Sequence, residues 1–290
     1  MTGSDIVERA AAKVNLTLRV GRARADGYHP LDSLVLFADW GDAISVQAAP
    51  GLTLTMSGEA SRALASEPSN LVLRAARALQ VTAGLQTGAA IHLEKLIPVS
   101  AGLGGGSADA AATLRALNRL WRLDWPTEKL AQLALELGAD VPACLYSRPL
   151  RMRGIGEWIE MLGDVPPLFA VIVNAGIPVS TADVFKAFDA GDPQPLIESA
   201  PDLDALPDWL AGEPNDLQSA AISVAPDIAR TLELIAATGR PSLVRMSGSG
   251  ASCFGLYNSL YEAMQAAGLL RAALPDWTIV PARLGEGGDA

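Results

Sequence analysis

The sequence predicts an α+β protein, because strand-like and helix-like patterns occur along its whole length. Segments such as 89–94 alternate apolar and polar residues, which is typical of a half-buried strand. Segments such as 70–81 and 127–137 carry apolar residues at helical spacing. A glycine-rich run, 98–109, lies between one such strand and a further helical pattern. The 290 residues suffice for one large domain or two ordinary ones.

Further strands are predicted where alternating segments end at residues that favour turns. In the first half of the chain they are 13–20, 34–37, 43–46 and 52–56, with turns at Gly41-Asp42 and Pro50-Gly51 and a loop at 25–30. In the second half we predict a buried strand at 169–174, an irregular segment at 191–214, a helix at 222–237 and strands at 242–246 and 252–257. The last two strands flank a second glycine-rich loop, Ser247–Ala251, which fits a hairpin turn and an anion-binding loop equally well.

The first glycine-rich run predicts a cradle for an anion. Four of the five residues from Gly102 to Gly106 are glycine, and without Cβ atoms their backbone N–H groups can crowd around a ligand. Ser107 is predicted to be the N-cap of the following helix, and Asp109 suits its first turn. A helix N-terminus directly after such a loop offers unpaired N–H donors, which favours a phosphate. The plainer alternative is a tight turn without a ligand.

Two familiar phosphate-binding motifs do not account for this run. A P-loop needs a lysine after its last glycine, and the run has no lysine. A dinucleotide-binding fingerprint needs a third glycine where Ser107 stands.

Composition argues against several other classes of function. The formal net charge of −10 and the pI near 4.7 argue against nonspecific binding to nucleic acid or to an anionic membrane. The two cysteines, Cys144 and Cys253, form neither a disulfide framework nor a metal cluster, and two histidines are too few for a histidine-based zinc site. We find no signal peptide and no apolar segment long enough to span a bilayer, and therefore expect a cytoplasmic protein.

Four separated segments resemble, in order and spacing, the GHMP kinases, which are ATP-dependent kinases of small molecules. They are Ala12–Leu16, Pro98–Ala108, Gly138–Pro142 and Met246–Cys253. The resemblance implies two domains, with residues 1–155 binding ATP, residues 156–290 closing over the substrate, and the active site in the cleft between them. It also implies a small-molecule substrate and the cofactors ATP and Mg²⁺. We expect a monomer or a homodimer.

The resemblance assigns roles to single residues. Lys13 and Asp140 would be the catalytic pair, in which Asp140 accepts the proton of the substrate hydroxyl and Lys13 favours its ionised form. The ATP phosphates would lie on Pro98, Val99, Ser100, Ala101, Gly102, Leu103, Gly104, Gly105, Gly106, Ser107 and Ala108, and the adenine on Asn70, Leu71 and Lys95. Ser107 is a candidate contact to Mg²⁺. Considered without the other motifs, Lys13 would be interpreted as an ordinary solvated lysine and Asp140 as a helix N-cap.

The segment Arg24–His29 resembles those GHMP kinases whose substrate carries cytidine diphosphate. This implies transfer of the γ-phosphate of ATP to the C2 hydroxyl of a cytidine diphosphate methylerythritol, in the non-mevalonate route to isoprenoid precursors. Tyr28, His29 and Phe185 would surround the cytidine, and Asn15 and Thr181 would lie close to the substrate. The alternatives are another GHMP kinase, acting on homoserine, mevalonate or a sugar, and a catalytically silent nucleotide-binding regulator.

Two segments depart from the family pattern. Ser100-Ala101 stands where many members have Gly-Gly, although the later glycines of the cradle are intact. Arg148–Arg151 replaces a stretch that is often small and contains glycine, which leaves the predicted domain junction open.

Overall fold

The computed structural model describes residues 5–63, 70–191 and 193–287, in which eleven strands form one mixed sheet accompanied by nine α-helices. The strands are β1 (Ile6–Asn15), β2 (Arg19–Val20), β3 (Leu31–Ala49), β4 (Thr53–Ser57), β5 (Gly88–Glu94), β6 (Leu150–Gly154), β7 (Trp158–Met161), β8 (Leu168–Asn174), β9 (Leu243–Met246), β10 (Cys253–Tyr257) and β11 (Thr278–Gly285). The helices are α1 (Leu71–Thr82), α2 (Gly105–Leu120), α3 (Thr127–Leu137), α4 (Val141–Tyr146), α5 (Thr181–Ala190), α6 (Leu206–Gly212), α7 (Gln218–Val224), α8 (Asp227–Ala236) and α9 (Leu260–Ala273). The α+β fold predicted from the sequence is confirmed. Across the described ranges, no helix is long and apolar enough to cross a membrane.

Strand β3 organises the sheet. Along one of its edges it pairs with β1 and β2, and along the other it pairs in turn with β6, β11 and β5. From β11 the sheet continues through β8 and β10 to β9, while β4 lies beyond β5. All of these pairs are antiparallel except that of β4 with β5.

The core lies on both faces of this sheet. One cluster of buried apolar residues packs β1, β3 and β5 against α1 to α4, and a second packs β8 and β10 against α5 and α7 to α9. The alternate residues of β3 and β8 form a third cluster with α6 on the opposite face. Because β11 pairs with both β3 and β8, strands from the first and second halves of the sequence form one continuous sheet. The division at residue 155, which falls in the β6–β7 hairpin, stays a prediction.

The predicted turn at Gly41-Asp42 is wrong. Both residues lie inside β3, which runs as one strand where two short ones were predicted. Glycine is needed at position 41 for close approach, since a Cβ there would lie 2.2 Å from the carbonyl oxygen of Ala10 on β1. Asp42 is buried and bonds to residues near Lys95, so its carboxylate has a tertiary partner that a turn would not supply.

The predicted opening strand at 13–20 is displaced. The strand runs over Ile6–Asn15, and only Arg19 and Val20 resume pairing with β3. In between, the backbone N–H of Leu18 donates to the carbonyl of Pro214, and the Leu18 carbonyl accepts from Asp216. The alternation from 13 to 20 therefore reflects burial on both sides of a chain that leaves the sheet to pair with a distant segment.

Two further predictions in the second half are corrected. The helix predicted at 222–237 is two helices, α7 and α8, because Ala225 precedes a proline and leaves the helical conformation, with φ −137° and ψ 89°. The segment predicted to be irregular, 191–214, contains α6, and of that segment only Asp192 lies outside the described residues. The strands predicted at 52–56, 89–94, 169–174, 242–246 and 252–257 and the helices at 70–81 and 127–137 are confirmed within one or two residues.

Candidate active site

A cavity of about 1040 Å³ opens where the N-terminus of α2, the end of β1, the 25–30 loop and α5 meet. Most residues predicted for the site line it: Lys13, Asn15, Tyr28, His29, Asn70, Leu71, Lys95, Pro98, Val99, Ser100, Ala101, Gly102, Gly104, Gly105, Gly106, Ser107, Asp140, Thr181 and Phe185. Leu103 and Ala108 do not line it, since their side chains are buried in the core. Their backbones still take part in the cradle, because the Leu103 carbonyl accepts from Lys13 N at 2.9 Å and Ala108 N donates to the Gly104 carbonyl at 2.8 Å.

The glycine-rich run forms the N-terminus of α2, but its cap is not the predicted one. The helix begins at Gly105, and the N-cap is Gly104, whose φ of 62° is in the left-handed region that glycine tolerates. Ser107 is therefore the third residue of the helix rather than its cap, and Asp109 lies beyond the first three positions. The amides of residues 105–107 have no carbonyl acceptor within the helix, which leaves them free to bind an anion from the cavity.

Lys13 and Asp140 meet at the base of this cradle. They are 127 residues apart in the sequence, and Lys13 Nζ lies 3.1 Å from Asp140 Oδ1. Lys13 follows a register shift in the pairing of β1 with β3, a local irregularity of the kind that re-aims side chains near functional sites. Its ammonium also donates to Asn15 Oδ1 at 3.2 Å, so two oxygens hold it. Asp140 occupies the N-cap position of α4, as the alternative predicts, but its side chain makes no capping hydrogen bond.

The second glycine-rich loop lies against the first. It connects the antiparallel strands β9 and β10, as a hairpin would, and Ser247 Oγ donates to the Gly102 carbonyl at 3.0 Å. A Cβ at Gly102 would lie 2.5 Å from the Ser247 carbonyl oxygen, so this contact needs glycine. Gly248 and Ser249 line the cavity, and Ser249 Oγ lies 2.9 Å from Thr181 Oγ1. The position of the loop at the cavity is compatible with the anion-binding alternative as well.

A buried ion cluster lies directly behind the cradle. Lys95 donates to Asp42 and, at 2.9 Å, to Asp109 Oδ2, and all three residues are almost fully buried. Burial raises the pKa of Asp109 to about 8, although the charge of Lys95 opposes the shift. Burial lowers the pKa of Lys95, but the two carboxylates raise it more, so that its net shift is upward. The Oδ1 atom of Asp109 has no hydrogen-bond partner among the described residues.

The sequence analysis missed this cluster. Asp42 was assigned to a turn and Asp109 to the first turn of a helix, and their shared partner is 53 and 14 residues away, respectively. The ammonium of Lys95 is occupied by these carboxylates, and a Cβ at Gly105 would lie 3.0 Å from Lys95 Nζ. The cluster therefore supports the cradle from behind, and a contact of Lys95 with adenine stays a prediction.

The residues predicted for adenine begin helix α1. Asn70 is its N-cap, and Asn70 Oδ1 accepts from Val72 N at 2.9 Å. Leu71 is partly buried and contributes an apolar wall to the cavity. Its Cδ1 lies close to Gly106, where an added Cβ would be 3.4 Å away. Asn70 thus has a structural role in addition to the predicted one.

Aromatic residues form the far end of the cavity. The ring centroids of His29 and Phe185 are 4.7 Å apart, with the planes inclined by 33°. Tyr28 is 58% exposed and lines the same end. His29 Nε2 lies 2.8 Å from Asp189 Oδ1, a partner on α5 that the sequence analysis missed because 160 residues separate the two.

Comparison with known proteins agrees with the family resemblance. The family described as the GHMP kinases N terminal domain matches residues 70–148, and the GHMP kinases C terminal family matches residues 184–276. This chain belongs to the GHMP kinase family.

Relatives of this GHMP kinase match it over nearly its whole length. A 4-diphosphocytidyl-2-C-methyl-D-erythritol kinase of Parvibaculum lavamentivorans is 50% identical over 279 residues, covering 94% of this chain and 96% of the relative. The protein of the same name from Paramagnetospirillum magneticum is 48% identical, with 95% and 97% covered. A crystal structure of 4-(cytidine 5'-diphospho)-2C-methyl-D-erythritol kinase matches with a TM-score of 0.80 at 36% identity, covering 96% of this chain and 99% of that one.

More distant matches bear only on the fold of this GHMP kinase. A homoserine kinase from Cytophaga hutchinsonii matches with a TM-score of 0.72 at 18% identity, covering 99% of this chain and 97% of that one. At this identity the likeness carries no information about the substrate.

The family departure at Arg148–Arg151 has a structural explanation in this GHMP kinase. Arg151 lies on β6 and donates from Nε and Nη2 to the two carboxylate oxygens of Asp32 on β3, each at 2.7 Å. Both side chains are buried, and this two-pronged ion pair joins adjacent strands beside the predicted domain junction.

The donor set of the cavity suits Mg²⁺ bound mainly by a nucleotide. Ser107 lines the cavity, and its hydroxyl makes no hydrogen bond with another described residue. Over the part of the chain that the structure describes, no group of three or more His, Cys, Asp or Glu side chains could hold a metal by itself. Mg²⁺ commonly keeps several waters and binds to substrate phosphates, so one hydroxyl at the phosphate cradle fits it.

Proposed function

We propose that this GHMP kinase transfers the γ-phosphate of ATP to the C2 hydroxyl of 4-diphosphocytidyl-2-C-methyl-D-erythritol. The observation that carries the proposal is one continuous cavity with a phosphate cradle, a lysine–aspartate pair and an aromatic end. The names of the relatives at 45–50% identity support the same substrate. The reaction would be a step of the non-mevalonate route to isoprenoid precursors and would take place in the cytoplasm.

Asp140 is the general base in this proposal. Phosphoryl transfer needs an attacking oxygen in line with the γ-phosphate, and Asp140 takes its proton. Lys13 Nζ holds Asp140 Oδ1 at 3.1 Å and fixes the position of the carboxylate. Because Asn15 Oδ1 also holds the ammonium, Lys13 stays in place when the substrate enters.

The glycine cradle holds the triphosphate. The free amides at the start of α2 and the positive end of its dipole stabilise the charge that spreads over the phosphate oxygens. Ser107 would hold Mg²⁺ at the cradle, and the ion would supply positive charge that offsets part of the charge of the phosphates. The protein's net charge of −10 makes such local compensation necessary.

The aromatic end of the cavity takes the cytosine. Tyr28 and Phe185 offer two ring faces for stacking, and His29 offers hydrogen bonds at the edge of the base. Asn15 and Thr181 line the cavity between this end and the catalytic pair, where the methylerythritol would lie.

A coupled kinase assay with a substrate panel tests this proposal. We expect ADP formation with 4-diphosphocytidyl-2-C-methyl-D-erythritol, and none with homoserine, mevalonate or galactose. Turnover of one of the other substrates instead would assign the chain to a different GHMP kinase. ATP binding without turnover of any acceptor would identify a silent regulator, and either outcome would refute the proposal.

A further inference from the structure

The imidazole of His29 is held on three sides by the last two turns of α5. Its Nε2 atom lies 2.8 Å from Asp189 Oδ1. Its ring packs on Phe185 at 4.7 Å between centroids and meets Phe188 edge-on at 6.1 Å. The side chain of His29 is only 8% exposed, although it belongs to an exposed loop. This ring therefore has a defined orientation before any ligand binds.

The position of Asp189 has no evident benefit for the helix. It is the next-to-last residue of α5, and a carboxylate near the negative end of a helix dipole is unfavourable. Its hydrogen bond with His29 offsets this disadvantage. Asp189 also lines the cavity, beside the ring that it holds.

The carboxylate determines which nitrogen of His29 is left as an acceptor. A carboxylate only accepts hydrogen bonds, so the neutral imidazole must carry its proton on Nε2. Nδ1 then keeps a lone pair, and it makes no hydrogen bond with the described residues. Cytosine has an amino group at C4, which donates to such a lone pair, whereas uracil has a carbonyl oxygen there, which repels it.

We propose that Asp189 is a positioning residue for pyrimidine recognition: it holds the proton of His29 on Nε2, so that Nδ1 accepts a hydrogen bond from the 4-amino group of the cytosine. The proposal rests on the proposed function and extends it from stacking to discrimination between cytidine and uridine substrates. A site built to pair with one polar group rejects the analogue that leaves its own groups unpaired.

Binding measurements test the proposal without turnover. With the ATP site saturated by a non-hydrolysable ATP analogue, we titrate cytidine 5'-diphosphate and uridine 5'-diphosphate by calorimetry. We expect the parent protein to bind the cytidine compound at least about tenfold more tightly, and Asp189→Ala to reduce this ratio to about two or less. Asp183→Ala is the matched control, since Asp183 is an exposed aspartate at the other end of the same helix, and it should leave the ratio unchanged.

Nitrogen-15 NMR of the imidazoles gives a second readout. The chain has two histidines, so a His92→Gln variant assigns the signals of His29 directly. We expect a protonated Nε2 and an unprotonated Nδ1. A proton on Nδ1, or an unchanged base preference in Asp189→Ala, overturns the proposal. If the parent protein does not phosphorylate the cytidyl substrate, the proposed function fails whatever the binding ratio, and the two failures are thus distinguishable.

Discussion

Replacing Asp140 by asparagine separates the proposed chemistry from the fold. Asparagine keeps the shape of the side chain and an oxygen that can accept from Lys13 Nζ, but it cannot take a proton from a substrate hydroxyl. Lys13 also retains its bond to Asn15 Oδ1 at 3.2 Å, so that its ammonium still donates to an oxygen on each side. The variant therefore removes one function and leaves the surrounding contacts in place.

The expected magnitudes follow from this geometry. A general base contributes about 10²–10⁴ in rate, which corresponds to about 3–5 kcal/mol in the activation barrier. The side chain of Asp140 is 40% exposed, and an ion pair with one such partner contributes at most about 1 kcal/mol to stability. Asp140→Asn should therefore lower kcat at least about 100-fold and change Tm by no more than about 4 °C.

Three measurements check this prediction. Steady-state kinetics with the cytidyl substrate give kcat, calorimetry gives the affinity for ATP, and thermal unfolding gives Tm. Asp183→Asn serves as the control, since it removes an exposed carboxylate outside the proposed catalytic pair. A variant that keeps more than about a tenth of the parent kcat would refute Asp140 as general base, and loss of ATP affinity would refute the separation of chemistry from binding.

Three further predictions concern the cradle, the ion cluster and the aromatic end. Gly102→Ala should destabilise the protein by about 1–3 kcal/mol and weaken ATP binding in calorimetry, because φ is +72° and the new Cβ would meet the Ser247 carbonyl. Gly163→Ala is the control: its Cβ would meet no other atom, so stability and ATP affinity should both stay unchanged. Burial raises the pKa of Asp109 from its unfolded value to about 8, so the folded form binds the extra proton and the free energy of unfolding should fall as the pH rises through this range. Asp109→Asn should flatten that slope in denaturant titrations, and equal slopes would contradict the assignment. Phe185→Ala should raise KM for the cytidyl substrate about 5- to 150-fold through lost stacking, and an equal rise in KM for ATP would argue against a role confined to the pyrimidine.

Local chemistry accounts for the parts of the fold that were predicted well. The strand at 89–94 and the helix at 127–137 follow from apolar spacing and from residues that favour turns at their ends, and both are close to their predicted bounds. The glycine cradle was predicted from composition, but its cap was assigned to Ser107. The N-cap is instead Gly104, which has a positive φ. Glycine also suits this position because of tertiary packing, since a Cβ there would lie 3.1 Å from Cε of Lys13.

The site residues that lie in sequence motifs were predicted, and those outside any motif were missed. The lysine of the proposed catalytic pair lies in one motif and the aspartate in another, and the family resemblance joined them across 127 residues. Asp42 lies in no motif and was assigned to a turn, since nothing near it in the sequence indicates its bond with Lys95. Asp189 was missed for the same reason, because its partner His29 is 160 residues away.

By itself, the sequence determined the fold class, the glycine cradle and the family, since each depends on short segments whose spacing is encoded locally. Only the tertiary structure decided that β3 is one continuous strand, that a buried lysine supports the cradle between two carboxylates, and that an aspartate on α5 orients the histidine of the 25–30 loop. The physical reason is that burial sets the partners of these polar groups: a desolvated charge must find an opposite charge or a hydrogen bond wherever the chain happens to bring one.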